Sequence, residues 1–300
     1  MRVGLLCSQD WANFAYGLYK SLQAVNVDVI GHKLGRHLFG YLEQLDVITP
    51  SQVKDIYKDC NLILLVHSDW ELIELLPEGS NVINFATGTK YRSNPEFINT
   101  KFNSPFTLIA LPEFQTPAPN PKYLVGAIEL DMPVKPVGER LVVGHFPSNY
   151  NVKGTDDINR IILQLKDSYD FEYLHSVERV SHQENLERMN QCDIYIELIA
   201  PTQGGKPYGS FGISALEAAA LGKIVVTQDL NGNGLYGKTY GPSMLNFVKD
   251  EMGLKKTLSE LLQYKGSHIE GQQKATKDWV NKYHSHKATG EKLMSYLNGL

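Results

Sequence analysis

Short apolar runs alternate with longer amphipathic segments along the whole chain. Between the first two runs, apolar side chains recur at helical spacing from Trp11 to Val25, which indicates an amphipathic crossover helix. Strands that alternate with crossover helices are typical of parallel sheets. The first half is therefore predicted to be a parallel α/β domain, with strands at residues 3–7, 28–31, 62–66, 82–86 and 107–111.

A second alternating series follows residues 131–138, where two prolines and a glycine break the pattern and mark a linker. Ser181 and Glu184 have the spacing of a capping box, which predicts a helix start. The predicted fold class is α/β, with two Rossmann-like parallel-sheet domains, 1–135 and 136–300, that face a central cleft. The predicted strands of the second domain are 141–145, 171–174, 194–198 and 223–227, and its helices are 156–166, 184–190, 213–221 and most of 250–300.

Composition and charge narrow the class of protein. The 29 basic and 33 acidic side chains give a net charge of −4, so no overall positive field attracts nucleic acid or anionic lipid. No apolar run approaches the roughly 20 residues that cross a bilayer, and the chain reaches Ser8 before a secretory apolar region forms. Cys7, Cys60 and Cys192 show no metal or redox spacing. We therefore expect a soluble, cytoplasmic protein with no transmembrane segment and with reduced cysteines.

The segment 209–223 has the pattern of an anion-binding turn before a helix. Gly222 is predicted to end this helix. Free backbone N–H groups and the positive end of the helix dipole favour a phosphate at its start. Glu217 lies about one and a half turns inside the helix, where a carboxylate suits the vicinal diol of a ribose; the alternative is a surface glutamate on an Ala-rich helix. The turn consists of Gly209, Ser210, Phe211 and Gly212.

A second such segment follows the predicted strand 141–145. A turn-rich loop leads to a helix whose N-cap is predicted to be Thr155, directly behind Lys153 and Gly154. A lysine beside a helix N-terminus adds a positive charge to an anion site. Two such sites in one domain suggest a diphosphate ligand, whereas Lys153 taken alone is more typical of a solvated side chain.

Together the two segments resemble the nucleotide-binding half of the retaining GT-B glycosyltransferases of family 4 type (glycosyl transferases group 1). The family pattern also has a first glutamate eight positions before the second, and this chain has Gly209 there. The resemblance therefore implies nucleotide binding without the carboxylate that meets the transferred sugar. The matching residues are Pro147-Ser148, Lys153-Gly154-Thr155 and Glu217-Ala218.

The resemblance extends more weakly to the first half. Several loops after predicted strands match loops that face the cleft in that family, and the closing helix of the family returns to the first domain. His67 is the expected catalytic-cleft histidine, with a structural histidine as the alternative. Arg92 is expected to meet a phosphate or an acidic acceptor, with a structural ion pair as the alternative. The expected acceptor-side residues are Asp10, Asn13, His67, Gly88, Thr89 and Arg92.

The resemblance implies transfer of a sugar, expected to be a hexose, from a UDP-sugar or GDP-sugar to an acceptor hydroxyl with retention of configuration. The chain has no Asp-x-Asp sequence, so we expect no metal and no cofactor beyond the donor substrate. The expected catalytic residues are His67, Lys153 and Glu217. The expected nucleotide-sugar-binding residues are Ser148, Lys153, Gly154, Gly209, Ser210, Phe211, Gly212 and Glu217.

Two alternative functions remain open at the level of sequence. Gly209 favours a non-catalytic, glycosyltransferase-like subunit that binds a nucleotide sugar and supports a partner. A viral-type enzyme that glycosylates modified bases of DNA is the other alternative, and it is the only function for which we expect a nucleic-acid partner. Lys90, Arg92 and Lys101 would line a track for that DNA, although the chain is mildly acidic.

Overall fold

The computed structural model describes residues 1–37, 39–200, 202–203, 206–229, 234–264 and 266–298. The chain forms two compact units. The first unit comprises Met1–Ala127 and His284–Leu300, and the second comprises Ile128–Tyr283. Residues 131–138, where the sequence predicts the linker, have no regular secondary structure and belong to the second unit.

The first unit is built on a seven-stranded sheet with the order β3-β2-β1-β4-β5-β6-β7. Each neighbouring pair of strands is parallel. The central strand β4 consists of five apolar residues that are all buried, as expected for a parallel strand covered on both faces. The strands are β1 (Arg2–Cys7), β2 (Asp28–Lys33), β3 (Asp46–Val47), β4 (Leu62–Val66), β5 (Val82–Ala86), β6 (Thr107–Ile109) and β7 (Pro121–Tyr123).

The second unit is built on a five-stranded parallel sheet with the order β14-β13-β10-β8-β9. A small antiparallel pair, β11 and β12, follows β10 in the chain. The strands of this unit are β8 (Val142–His145), β9 (Glu172–His175), β10 (Ile194–Ile196), β11 (Thr202–Gln203), β12 (Lys206–Pro207), β13 (Ile224–Gln228) and β14 (Asn246–Val248).

Helices connect the strands in both units. Those of the described residues are α1 (Phe14–Ala24), α2 (Pro50–Tyr57), α3 (Thr89–Ser93), α4 (Pro95–Asn99), α5 (Thr155–Lys166), α6 (His182–Asn190), α7 (Ile213–Ala220), α8 (Gly234–Tyr240), α9 (Glu251–Leu261), α10 (Ser267–His284) and α11 (His286–Leu297). Short 3₁₀ turns cover Trp11–Asn13, Trp70–Leu75 and Pro112–Phe114. No helix among these residues has the length and apolarity that crossing a bilayer requires.

The last helix, α11, belongs to the first unit and packs on α1. Gly290 makes the close approach possible, because a Cβ there would overlap the backbone carbonyl of Ser21. The hydroxyl of Tyr296 donates to the carbonyl of Tyr123 at 2.9 Å. The first unit is therefore completed by the C-terminal end of the chain.

Each sheet has one point where its strand order reverses. In the first sheet this point lies between β1 and β4, and in the second sheet it lies between β8 and β10. Crossover connections leave on opposite sides of such a point, so a crevice opens at the carboxyl ends of the two strands. The residues that follow β1, β4, β8 and β10 are therefore the first candidates for a functional site.

Candidate functional site

At the reversal point of the first sheet, Asp10 follows β1 and His67 follows β4. The Asp10 carboxylate is fully buried and accepts the backbone N–H groups of Ala15 and Tyr16 at 2.7 and 2.9 Å. These are orphan donors of the first turn of α1, whose N-cap residue Asn13 makes no side-chain cap bond. Asp10 therefore caps α1 from a distance.

His67 is buried and both of its ring nitrogens have partners. Nε2 accepts the backbone N–H of Trp11 at 3.1 Å, so the ring N–H is assigned to Nδ1, which donates to the hydroxyl oxygen of Thr87 at 2.5 Å. Asp10 Oδ1 also lies 3.4 Å from Nε2. The His67 imidazole thus links the turn after β1 to the residues that follow β4 and β5.

The backbone is strained in the segment after Asp10 and at His67 and Ser68. Ala12, Asn13, His67 and Ser68 all have positive φ, at 57°, 54°, 65° and 56°. Non-glycine residues rarely adopt this conformation, and clusters of them mark sites where the surrounding structure fixes the chain. The first reversal point is therefore a rigid edge.

Cys7 lies next to this pair, and its Sγ, a carboxylate oxygen of Asp10 and a His67 nitrogen all lie within 4.8 Å of one another. These atoms could bind a metal only by giving up other interactions. Burial, followed by the charges of Asp10 and Asp69, raises the pKa of the Cys7 thiol well above its ordinary value, whereas a metal needs the thiolate. Nε2 of His67 accepts from Trp11, and both Asp10 oxygens accept from α1. The three side chains fit a metal ion poorly.

The remaining acceptor-side candidates are spread along the same unit. Gly88 precedes Thr89 at the start of α3. Arg92 pairs with Glu113 at 2.8 Å, and its guanidinium lies over the ring of Phe114. The Asn13 side chain donates to the carbonyl of Glu43 at 2.9 Å. Arg92 therefore forms an ion pair within the first unit, which was the alternative to its binding a phosphate or an acidic acceptor.

At the reversal point of the second sheet, Lys153 follows β8 and Glu197 follows β10. Gly154 has a φ of 67°, and a Cβ there would overlap the carbonyl oxygen of Ile199. The backbone N–H of Ile199 donates to the carbonyl of Lys153 at 3.1 Å. Glycine is thus required for the loop after β8 to bond with the chain after β10, and this contact places Lys153 beside Glu197.

Glu197 is fully buried and collects donors from three parts of the unit. Its Oε1 accepts from Lys153 Nζ at 2.7 Å, from the backbone N–H of Gly212 at 3.2 Å and from Ser214 Oγ at 3.1 Å. Its Oε2 accepts from Thr227 Oγ1 at 2.7 Å. A buried carboxylate needs such compensation, because an unpaired one costs several kcal/mol, of order 3 to 5. The carboxylate of Glu197, an anion of the protein itself, therefore lies at the N-terminus of α7.

This arrangement changes two expectations about the anion site. The Gly212 N–H was expected to be free, but it donates to Glu197. Thr155 was expected to be the N-cap of α5, but it is the first residue of that helix, and Gly154 is in the N-cap position. The Thr155 hydroxyl instead bonds His145 Nε2 at 3.0 Å, while His145 Nδ1 donates to the carbonyl of Ile196 at 2.8 Å.

The His145 imidazole is fully buried beneath the loop that carries Lys153. Burial lowers its pKa to about 3, with smaller contributions from the charges of His175 and Lys153, although the hydrogen bond with the carbonyl of Ile196 opposes the shift. The ring is therefore neutral under ordinary conditions. Its two hydrogen bonds join β8, β10 and α5.

The turn before α7 is held by Gln228, at the end of β13. Its Nε2 donates to the carbonyls of Tyr208 and Gly209, both at 2.5 Å, and its Oε1 accepts the N–H of Ala200 at 2.7 Å. Gly209 is buried with a φ of 63°, so a side chain there would be strained. Ser210 and Phe211 are also buried, whereas Ser148 is exposed in the loop after β8.

Glu217 is buried inside α7, so it is not the surface glutamate that was the alternative expectation. Its Oε1 lies 2.6 Å from His182 Nε2, and His182 is the first residue of α6. The helix start predicted from Ser181 is confirmed by its side chain, which accepts the N–H of Glu184 at 3.2 Å.

Sequence reasoning missed Glu197, His182 and Gln228. The signal for Glu197 was its acidic side chain inside the apolar run 194–198. No comparable signal exists for His182, since 35 positions separate it from Glu217. The structure thus adds a carboxylate next to Lys153 and an imidazole next to Glu217.

Comparisons with known proteins identify the fold. No protein-family model and no curated protein sequence matches the chain. Among solved structures, sucrose-phosphate synthase from Thermosynechococcus elongatus has a TM-score of 0.66 and 11% identity, over 100% of this chain and 98% of that protein. WaaG, a glycosyltransferase involved in lipopolysaccharide biosynthesis, has a TM-score of 0.55 and 12% identity, over 99% and 100%.

TarM from S. aureus, in complex with Fondaparinux, alpha-GlcNAc-glycerol and UDP, has a TM-score of 0.56 and 10% identity, over 79% of this chain and 55% of that protein. Identities this low carry information about the fold alone. The mixed α/β fold, with parallel sheets of seven and five strands, matches that of GT-B glycosyltransferases, which confirms the predicted fold class.

Proposed function

We propose that this protein is a glycosyltransferase that moves a sugar from a nucleoside-diphosphate sugar to an acceptor hydroxyl, with retention of configuration and without a metal ion. The observation that carries the proposal is the convergence of three donors on one anion. Lys153 Nζ, the Gly212 N–H and Ser214 Oγ all donate to a single carboxylate oxygen of Glu197. The same kinds of donor bind phosphate oxygens at helix N-termini.

The location of these donors supports the proposal. They lie at the point where the order of the second sheet reverses, which is where open α/β sheets bind their ligands. A structure with a similar fold, TarM, was determined in complex with UDP. We assign the diphosphate of a UDP-sugar or GDP-sugar to this corner, with Ser148 and the 209–212 turn around it.

In this proposal the protein contributes electrostatic stabilisation to the transfer. The bond between the anomeric carbon and the diphosphate oxygen breaks, and negative charge grows on the departing phosphate. The acceptor oxygen bonds to the same face of that carbon and gives its proton to the departing phosphate. Lys153 and the N-terminus of α7 meet that charge, so they stabilise the transition state more than the bound donor. The chain has no Asp-x-Asp sequence, and the lysine takes the role that a metal ion has in other transferases.

Glu217 would bind the ribose of the donor through the two oxygens of its carboxylate. Its hydrogen bond with His182 fixes one oxygen, Oε1, and leaves the orientation of the group defined before the donor binds. The first unit would bind the acceptor, with Asp10 and His67 after strands β1 and β4. The other acceptor-side residues would be Asn13, Gly88 and, on α3, Thr89 and Arg92.

The test is a panel of UDP- and GDP-sugars offered with simple sugar and alcohol acceptors in the presence of EDTA. We expect product with at least one donor, and NMR of the anomeric proton should find the configuration of the donor retained. Inversion would refute retention, and a strict need for Mg²⁺ or Mn²⁺ would refute the metal-free mechanism.

Glu217→Gln tests the ribose assignment. Losing a charge-assisted hydrogen bond costs about 1.5 to 3 kcal/mol, so we expect the Kd of UDP or GDP to rise about ten-fold to a hundred-fold. Glu260→Gln, an exposed position on α9, is the matched control and should bind as the natural chain does. Unchanged affinity in Glu217→Gln would remove Glu217 from the ribose site.

One observation favours a second candidate, a nucleotide-sugar-binding protein without transferase activity. The position of the first motif carboxylate is Gly209, which is buried, has positive φ and is held by Gln228. The sugar end of a donor would lack that partner. Intact UDP or GDP binding with no turnover across the whole panel would favour this candidate.

A further inference from the structure

Glu197 belongs to no part of the nucleotide-binding pattern, yet its carboxylate lies where the diphosphate is assigned. The side chain of Glu197 is completely buried, whereas that of Lys153 is 17% exposed. Three of the four donors to Glu197 belong to regular secondary structure, namely the start of α7 and the end of β13. Lys153, on a loop, is therefore the partner that can move.

We propose that Glu197 is a positioning residue that holds Lys153 in the free protein and yields it to the diphosphate of the donor. The inference rests on the proposed function, since it names how the assigned corner accepts its anion. When Lys153 turns toward the ligand, the Gly212 N–H, Ser214 and Thr227 still satisfy the Glu197 carboxylate. The buried anion is thus never left without donors.

The exchange has an electrostatic consequence. An incoming diphosphate carries negative charge, and it approaches a lysine whose charge is balanced by Glu197 at 2.7 Å. The buried carboxylate repels an anion bound beside Lys153, because charges a few ångströms apart interact strongly where they are shielded from solvent. Glu197 therefore weakens the binding of anions in return for holding the lysine in place.

Removing the charge of Glu197 should accordingly tighten anion binding. Glu197→Gln keeps the shape of the side chain and an oxygen that can accept hydrogen bonds, but it has no charge. We expect the Kd of inorganic pyrophosphate and of UDP, measured by calorimetry at low salt, to fall on the order of ten-fold. A loss of a purely structural contact would raise the Kd instead.

A double-mutant cycle separates charge from packing. The gain from Glu197→Gln should shrink when Lys153→Met is also present, because the lysine released by the first change is then missing. Thr227→Val removes one neutral donor from the same carboxylate, and it should change the Kd of pyrophosphate by less than about two-fold. An equal gain in Thr227→Val would assign the effect to loosened packing and overturn the proposal.

A second comparison covers the case in which Glu197→Gln fails to fold because Lys153 is left without its anion. Lys153→Met leaves the Glu197 charge without its cation, whereas the Lys153→Met, Glu197→Gln double variant has neither charge. We expect the double variant to bind pyrophosphate more tightly than Lys153→Met does. Equal affinities, a weaker Glu197→Gln, or no pyrophosphate binding by the natural chain would each overturn the inference.

These outcomes are distinct from failure of the proposed function. Pyrophosphate affinities of the variants test the exchange of anions, whereas product formation with UDP- and GDP-sugars tests the transfer. Transfer without a gain in Glu197→Gln would refute the exchange alone. A gain in Glu197→Gln without any transfer would refute the transferase and keep the exchange.

Discussion

The two sheets place polar groups at equivalent points but use them differently. In the first unit, Asp10 accepts from α1 and His67 accepts from Trp11, so the hydrogen bonds of this edge hold the chain itself together. In the second unit, Lys153 and the N-terminus of α7 donate to Glu197. Lys153 can exchange Glu197 for another anion while the other donors keep the carboxylate satisfied, which makes the second unit the better candidate for ligand binding.

The lysine–carboxylate pairs of the two units show the same contrast. Lys90 pairs with Asp69 at 2.8 Å and is 36% exposed, whereas Lys153 pairs with Glu197 at 2.7 Å and is 17% exposed. Asp69 also accepts the N–H and the hydroxyl of Ser8. Because solvent screens exposed charges, the first pair should matter less than the second.

We expect the largest loss of stability from Gly154→Ala, which disrupts the contact at the reversal point of the second sheet. The new Cβ would overlap the carbonyl of Ile199, and the residue would keep a positive φ. Overpacking costs about 1 to 3 kcal/mol and the left-handed conformation about 1 to 2 kcal/mol more. Urea unfolding followed by circular dichroism should therefore find a loss of about 4 kcal/mol.

Gly40→Ala is the matched control for Gly154→Ala. Gly40 also has positive φ, at 58°, but a Cβ there meets no described atom within 4 Å. It should cost only about 1 kcal/mol, from the backbone conformation alone. Similar losses in the two variants would mean that the contact between Gly154 and Ile199 does not shape the second site.

The next effect tests whether Asp10 of the first unit is structural. Asp10→Asn keeps one accepting oxygen and loses the charge and the other acceptor, so one N–H of α1 is left buried without its partner. This should cost about 2 to 3 kcal/mol of unfolding free energy. Asn13→Gly, at the N-cap position with φ 54°, should cost only about 0.5 to 1 kcal/mol. Glycine adopts positive φ freely, so the loss is limited to the exposed hydrogen bond with the Glu43 carbonyl. A neutral Asp10→Asn would contradict the capping role.

A third effect comes from the buried histidines. The pKa of His145 is lowered from 6.5 to about 3 by burial, so the folded protein binds fewer protons than the unfolded chain between these values. The free energy of unfolding is therefore unaffected by His145 above pH 6.5, and it decreases as the pH falls from 6.5 toward 3. At pH 5 the loss is about 2 kcal/mol, from 1.36 kcal/mol for each unit below 6.5.

His145→Gln should flatten this part of the pH dependence, which thermal unfolding between pH 5 and 7 can measure. His284, in the first unit, has a pKa lowered to about 3 by burial as well. His284→Gln is therefore the counterpart that reports on the other unit. The expectation fails if His145→Gln leaves the slope between pH 5 and 7 unchanged.

Sequence patterns predicted the fold more completely than the site. Strands β4 and β5 have the predicted bounds, because buried parallel strands are mostly apolar runs that are easily recognised, and only Asn84 interrupts the one in β5. The two-residue strands β3, β11 and β12 were missed, since pairs so short leave no periodicity. The helical tail was predicted, but its interruptions among the described residues lie at 262–264, at Gly266 and at Ser285 rather than only near 266–271.

The candidate site depends on which strands are neighbours, and that order is absent from local patterns. Lys153 and Glu197 are 44 positions apart, and they meet only because β10 pairs with β8. Asp10 and His67 meet for the same reason, through β1 and β4. Motif reasoning selected Lys153 and Glu217 but had no means of finding the partners that each of them bonds.

The smallest effect concerns Lys90, and it tests the comparison of the two lysines directly. Burial lowers the pKa of Lys90, but hydrogen bonds with Asp69 and Glu71 outweigh this and raise it above the ordinary value. The side chain is more than a third exposed, so solvent screening limits what the pair contributes. Lys90→Met should therefore cost less than about 1 kcal/mol, and the cost should shrink further in 1 M salt, where the screening length is about 3 Å.

Lys54→Met, an exposed position on α2, is the control and should change stability by less than about 0.5 kcal/mol. Urea unfolding at low and high salt measures both. A loss of about 3 kcal/mol in Lys90→Met, independent of salt, would mean that the first unit also holds a buried ion pair, and the contrast between the units would then fail.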